Sequence, residues 1–142
     1  MGRWHLTIMS LIAVAWGLVV MAEYVLVAYG LRIGWLASYP PEQVEWLTTM
    51  PAWAHGTFGV WALLALVGAL CLAARVAAAA WMLGIAAVAQ VVLTVWAIGL
   101  ADPVVQSLSD GPVVAIALLT AALGVLIWAY ARGERRRPEG VL

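Results

Sequence analysis

Apolar residues run almost without interruption through four stretches of this chain, 6–31, 52–74, 77–101 and 112–132, and polar residues gather in the gaps between them. A hydrocarbon core ~30 Å thick takes roughly 20 apolar residues in a helix that rises 1.5 Å per residue. Each stretch is therefore long enough to cross a bilayer. The pattern predicts an all-α protein, a four-helix transmembrane bundle forming a single integral membrane domain, with a polar tail over 133–142.

The gap between the first two stretches carries an element of its own. In Pro41-Glu42-Gln43-Val44-Glu45-Trp46-Leu47-Thr48-Thr49-Met50-Pro51, Pro41 suits a first helical position, where its missing N–H would lack a partner anyway. Glu42 and Glu45 then sit near the positive end of the helix dipole. Gln43, Trp46, Leu47 and Met50 recur at helical spacing, which predicts a short amphipathic helix at the membrane interface. Trp35, Trp46 and Trp53 cluster around it with Tyr39, at the depth where an indole keeps its polar edge wet. These three tryptophans are the candidate interfacial or partner-contact residues.

Arginine placement gives the threading. Arg3, Arg75, Arg132, Arg135, Arg136 and Arg137 fall on one side, whereas Arg32 stands with Glu42, Glu45, Asp102 and Asp110 on the other. Basic residues accumulate in the cytoplasm, so both termini are expected inside, with the loops around Pro40 and Asp102 outside. Val20-Met21-Ala22 before Glu23 offers a rival reading of the first stretch as a cleaved signal peptide. Apolar residues resume directly after Glu23, at Tyr24-Val25-Leu26-Val27-Ala28, and favour a retained span.

Composition narrows the chemistry. Hydrophobic residues make up 66% of the chain and charged residues 10%, far fewer charges than a water-facing surface needs. Seven basic and seven acidic residues cancel, leaving no field to attract nucleic acid. All the basic residues are arginine, which excludes a lysine imine. The one cysteine, Cys71, has no second thiol to pair with and reads as a small core hydrophobe. No catalytic motif is present: there is no H-E-x-x-H, clustered Cys/His set, phosphate-cradling glycine loop or serine elbow, and no metal ligand set. The chain is expected not to be an enzyme. His5 and His55 start on opposite sides of the bilayer, which argues against a bis-His haem. A single axial histidine could still serve a haem or chlorophyll-type pigment, so the sequence names no cofactor.

Polar groups inside the stretches are few, and an ionisable one costs ~2.5–3.5 kcal/mol at a helix centre, which makes it a functional candidate. Glu23, His55 and Gln90 form the candidate intramembrane polar site. Glu23 lies ~25 Å along the first helix from Leu6, near the depth at which His55 starts the second. A Glu23–His55 pair could relay a proton or hold a cation. The plainer expectation is that Glu23 sits at headgroup level, His55 satisfies a neighbouring backbone group, and Gln90 bonds across helices, where such bonds average ~0.6 kcal/mol in a studied membrane protein.

The runs Pro41-Glu42-Gln43-Val44-Glu45-Trp46-Leu47, Pro51-Ala52-Trp53-Ala54 and Gly59-Val60-Trp61-Ala62-Leu63-Leu64 resemble a family of small four-span bacterial inner-membrane proteins, over roughly the first two-thirds of the chain. That family is often labelled transporter-like. The resemblance implies a fold and a location and carries over no functional residues. Where its members commonly have basic residues between the second and third spans, this chain has Arg75 alone. The leading functional expectation is a non-catalytic accessory or interaction subunit of a larger membrane assembly, touching membrane lipid and either other integral subunits or copies of itself. The alternative is a small oligomeric transporter with Glu23, His55 and Gln90 along its path.

Overall fold

Four apolar runs of the required length become four long helices in the computed structural model, which describes residues 4–30, 33, 41–101 and 113–136. In chain order these are α1 (Trp4–Ala28), the short α2 (Pro41–Thr48), α3 (Ala52–Ala73), α4 (Ala79–Val95) and α5 (Val113–Arg136). A π-helical turn, Trp96–Leu100, extends α4 to its full spanning length. The described residues contain no strand, so the molecule is an all-α bundle of four helices long and apolar enough to cross a membrane. With α2 between the first two of them, this is the expected architecture of a multi-pass membrane protein.

The spans pack in chain order, α1 on α3, α3 on α4, and α4 on α5. Nδ1 of His5 lies 2.6 Å from the Tyr130 hydroxyl, joining the start of α1 to the end of α5. This "terminal end" of the bundle also holds Arg75, and α2 marks the opposite "loop end". Two apolar clusters fill the interior. Leu6, Ala13, Leu72, Leu83, Ile127 and Ala131 belong to the one near the termini, which all four spans share. The other, at the loop end, gathers Val20, Val27, Val44, Met50, Phe58 and Leu93 from α1, α2, α3, α4 and the residue before Pro51.

Lipid offers little hydrophobic drive for helices to meet, so close approach rests on small residues. Ser10, Ala13 and Gly17 of α1 are buried, as are Ala62, Ala65 and Ala69 of α3. A Cβ built on Gly17 would lie 2.8 Å from Cα of Leu66, so the two backbones are in contact there. The hydroxyl of Ser10 is buried without a hydrogen-bond partner. Removing such a group relieves a desolvation penalty, and Ser10→Ala is expected to raise stability by about 1 kcal/mol in a denaturation titration of the detergent-solubilised protein. A loss of that size would mean the hydroxyl is bonded.

The α3–α4 connection is a tight turn. Arg75 has φ of 62°, a left-handed conformation usually left to glycine. The Val76 amide donates to the carbonyl of Cys71 (2.8 Å) and the Arg75 amide to that of Leu72 (3.1 Å), the paired bonds of a Schellman ending. A non-glycine residue pays about 1 kcal/mol or more there, so Arg75→Gly is expected to stabilise the fold by about that amount. Unchanged or lower stability would show that the arginine side chain is itself holding the turn.

Element limits differ from expectation in two places. Helix α4 starts at Ala79 rather than Ala77 because the left-handed turn uses up the intervening residues. Helix α5 continues through Gly133 to Arg136, into the segment expected as a tail, with Glu134 buried at 5% exposure near its end. The inward side of α2 is centred on buried Val44, beside the predicted set of Gln43, Trp46, Leu47 and Met50. Met50 is buried too, but lies beyond the helix end.

Candidate functional site

The loop end of the bundle carries an open cavity of about 150 Å³. Glu23 reaches it from α1, Trp46 and Leu47 from α2, Phe58 and Trp61 from α3, and Thr94 from α4, with Ala97 and Ile98 of the π turn closing one side. Glu23 and Thr94 are half-buried. In the π turn, the Ala101 amide bonds to the carbonyl of Trp96 at 2.7 Å, one residue wider than α-helical spacing. Such insertions concentrate at functional sites, and this one borders a cavity that an intramembrane carboxylate lines.

Of the aromatic rings at this end, Trp46, Phe58 and Trp61 line the cavity and the others pack behind them. Trp96, the first residue of the π turn, stacks on Trp46 at 5.3 Å and meets Trp53 edge-on at 5.2 Å. A second run passes from Tyr24 to Phe58 (5.3 Å), on to Trp61 (5.4 Å), and then to Trp16 (6.4 Å). Ring pairs at these separations contribute about 0.5–1.5 kcal/mol each beyond simple burial. Trp46 and Trp53, expected as interfacial or partner-contact residues, are thus brought together around Trp96. Trp35 lies outside the described residues.

The three polar candidates do not converge. Gln90 is 2% exposed and lines a separate crevice of about 10 Å³ with Trp16, Trp61, Gly124 and Ile127. Trp61 stands between that crevice and the Glu23 cavity, lining both. His55 is half-buried near the start of α3 and lines neither. Glu23 is engaged with a partner and lines the cavity, whereas His55 does not line it.

Chemically, one carboxylate among indoles in about 150 Å³ could receive a small cation or an amine, drawn by the charge and by ring faces. No histidine, cysteine or second acid lines the cavity among the described residues, so it offers no acid–base pair or nucleophile there. No group of three or more metal-ligating side chains occurs among them. Cys71 packs against the core near the termini, its sulfur donating toward the Met82 thioether at 3.8 Å.

Trp96 has no signal in the sequence, which shows Trp61 and Thr94 as an aromatic and a polar residue within spans but does not place them at the site. Nothing local marks the π turn, and Trp96 becomes a hub only once α2 and α3 fold back on it. No family model, curated protein or solved structure matches the chain. The fold itself defines the class, a multi-pass membrane protein with four spanning helices.

Proposed function

We propose that this chain is a non-catalytic accessory or interaction subunit of a larger membrane assembly in the bacterial inner membrane, with both termini cytoplasmic. The observation that carries this reading is the separation of Glu23, His55 and Gln90 into different environments, with Trp61 between the first and last. A chain whose polar groups form no shared path acts through its surfaces. Helix α5 supplies such a surface. Only 17% of its most apolar window is buried, against 33% in α3, and α4 is its main neighbour. Arginine placement supports the threading, and the resemblance carried by Pro41–Leu47 and Gly59–Leu64 supports the location.

Gentle extraction from its own membranes is the test. A complex of fixed stoichiometry that survives several mild detergents is the expected result, and a partner-free monomer in all of them contradicts it. The cavity beside the π turn favours a second reading, a small transporter working as an oligomer. Under that reading, flux in proteoliposomes falls with Glu23→Gln; flux unaffected by Glu23→Gln, His55→Ala and Gln90→Ala removes it.

A further inference from the structure

On the lipid-facing side of α4 and α5 an apolar groove of about 520 Å³ runs along Gly84, Val88, Val91 and Val92, bordered by Val125 and Trp128. At the terminal end it opens into a second pocket of about 500 Å³, lined by Ala80, Trp81, Trp128, Arg132 and Arg135. The two share Ala80, Trp81 and Trp128, so a greasy channel and a basic mouth form one continuous surface. We propose that this surface binds one anionic phospholipid, with its phosphate held by Arg132 and Arg135 and an acyl chain laid along the α4–α5 groove.

The dimensions fit that occupant. From Ala80 to Val92 the groove follows α4 for about 18 Å, close to the ~15 Å depth of a single leaflet's hydrocarbon. It starts at the terminal end, where the helices leave the apolar core, so headgroup level and basic mouth coincide.

The mouth is arranged for a phosphate. The guanidinium carbon of Arg132 lies 5.4 Å from the Trp128 ring centroid, and that of Arg135 lies 5.7 Å from the Trp81 ring. Stacking on an indole face occupies the flat side of a guanidinium and leaves its in-plane N–H groups able to grip phosphate oxygens in pairs. Arg132 and Arg135, one helical turn apart, converge on one opening and are both exposed. The nearest acid on α5, Glu134, is buried, lines neither pocket and is engaged with a partner of its own. Positive charge at the mouth therefore goes unneutralised by that residue, which selects for an anionic lipid over a zwitterionic one.

Native mass spectrometry of the full-length protein in detergent tests the assignment, with phosphatidylglycerol, phosphatidylcholine and inorganic phosphate as titrated probes. Each arginine near a headgroup contributes about five-fold, so one phosphatidylglycerol per chain should bind about 25-fold more tightly than phosphatidylcholine. In Arg132→Gln/Arg135→Gln that preference should vanish. Val88→Trp, at an exposed groove position, should weaken both lipids while keeping the preference, because it fills the channel and spares the mouth. Arg75→Gln, an exposed arginine at the same end but outside the pocket, should change the preference less than two-fold. The proposal is overturned if the double variant keeps the preference, if Arg75→Gln abolishes it equally, or if Val88→Trp has no effect. Inorganic phosphate binding as tightly as phosphatidylglycerol would assign the mouth to a soluble anion instead. Should the double variant fail to fold, Val88→Trp and the wild-type selectivity still decide the matter. None of these outcomes depends on whether the chain joins a larger assembly.

Discussion

Gly17→Val lowers stability by about 3 kcal/mol, the upper end of the cost of overfilling a packed interior. The first added carbon would sit 2.8 Å from Cα of Leu66 and 3.1 Å from both the Leu66 nitrogen and the Ala65 carbonyl oxygen. These are backbone atoms inside a helix and cannot rotate away as a side chain could. The α1–α3 seam must open to admit the larger residue, and contacts along buried Ala13, Val20, Ala62 and Ala69 loosen with it. Gly56→Val is the matched control, since nothing lies within 4 Å of a Cβ there, and it should change stability by no more than about 0.5 kcal/mol. Reversible unfolding in mixed micelles, followed by tryptophan fluorescence, measures both. Equal effects at the two glycines would show that α1 and α3 are not in backbone contact.

The second large effect lies at Gln90. Its amide oxygen points at Gly124 so closely that a methyl on that glycine would overlap it. Gln90 is 2% exposed and its crevice holds only about 10 Å³, enough for roughly one water-sized probe, so the side chain has little room to retreat. Gly124→Ala should therefore cost about 2 kcal/mol. In a Gln90→Ala background the same change should cost almost nothing, because the oxygen it strikes is gone. A double-mutant cycle isolates that coupling, expected at about 2 kcal/mol in the rescuing direction. Additive effects, within about 0.5 kcal/mol, would mean that α4 and α5 do not meet through this pair.

These two sites also mark where the sequence stops being informative. Four spans follow from run length alone, because a bilayer demands that every backbone amide be bonded within its own helix. Pro41 and Pro51 bracket α2 by their local restrictions on the backbone, and the element appears where they place it. What run length cannot supply is rotation about the helix axis. Run length predicts a shared depth for Glu23 and His55, but only Glu23 lines the cavity with Trp46 and Trp61. Gln90 was legible as a buried polar group, yet its fit against Gly124 joins residues on different helices and has no local trace. The π turn is equally silent, since Trp96-Ala97-Ile98-Gly99-Leu100 would serve as ordinary α-helix by composition. Half of the basic mouth could be read: Trp128 and Arg132 stand four apart on one helix face. Its other half, Arg135 over Trp81, exists only through the packing of α5 on α4.

Four helices crossing lipid, with the chain's two ends on one face and α2 on the other, are the central claim. Labelling of single cysteines in intact, sealed membranes by a membrane-impermeant maleimide tests this directly, in a Cys71→Ala background. Arg75→Cys and Arg132→Cys should react from one face only, Glu42→Cys from the opposite face only, and Leu11→Cys, Leu63→Cys, Ile85→Cys and Leu119→Cys, exposed positions on the four spans, from neither. Ready labelling of the four span positions, or reaction of Glu42→Cys and Arg75→Cys from the same face, would contradict it.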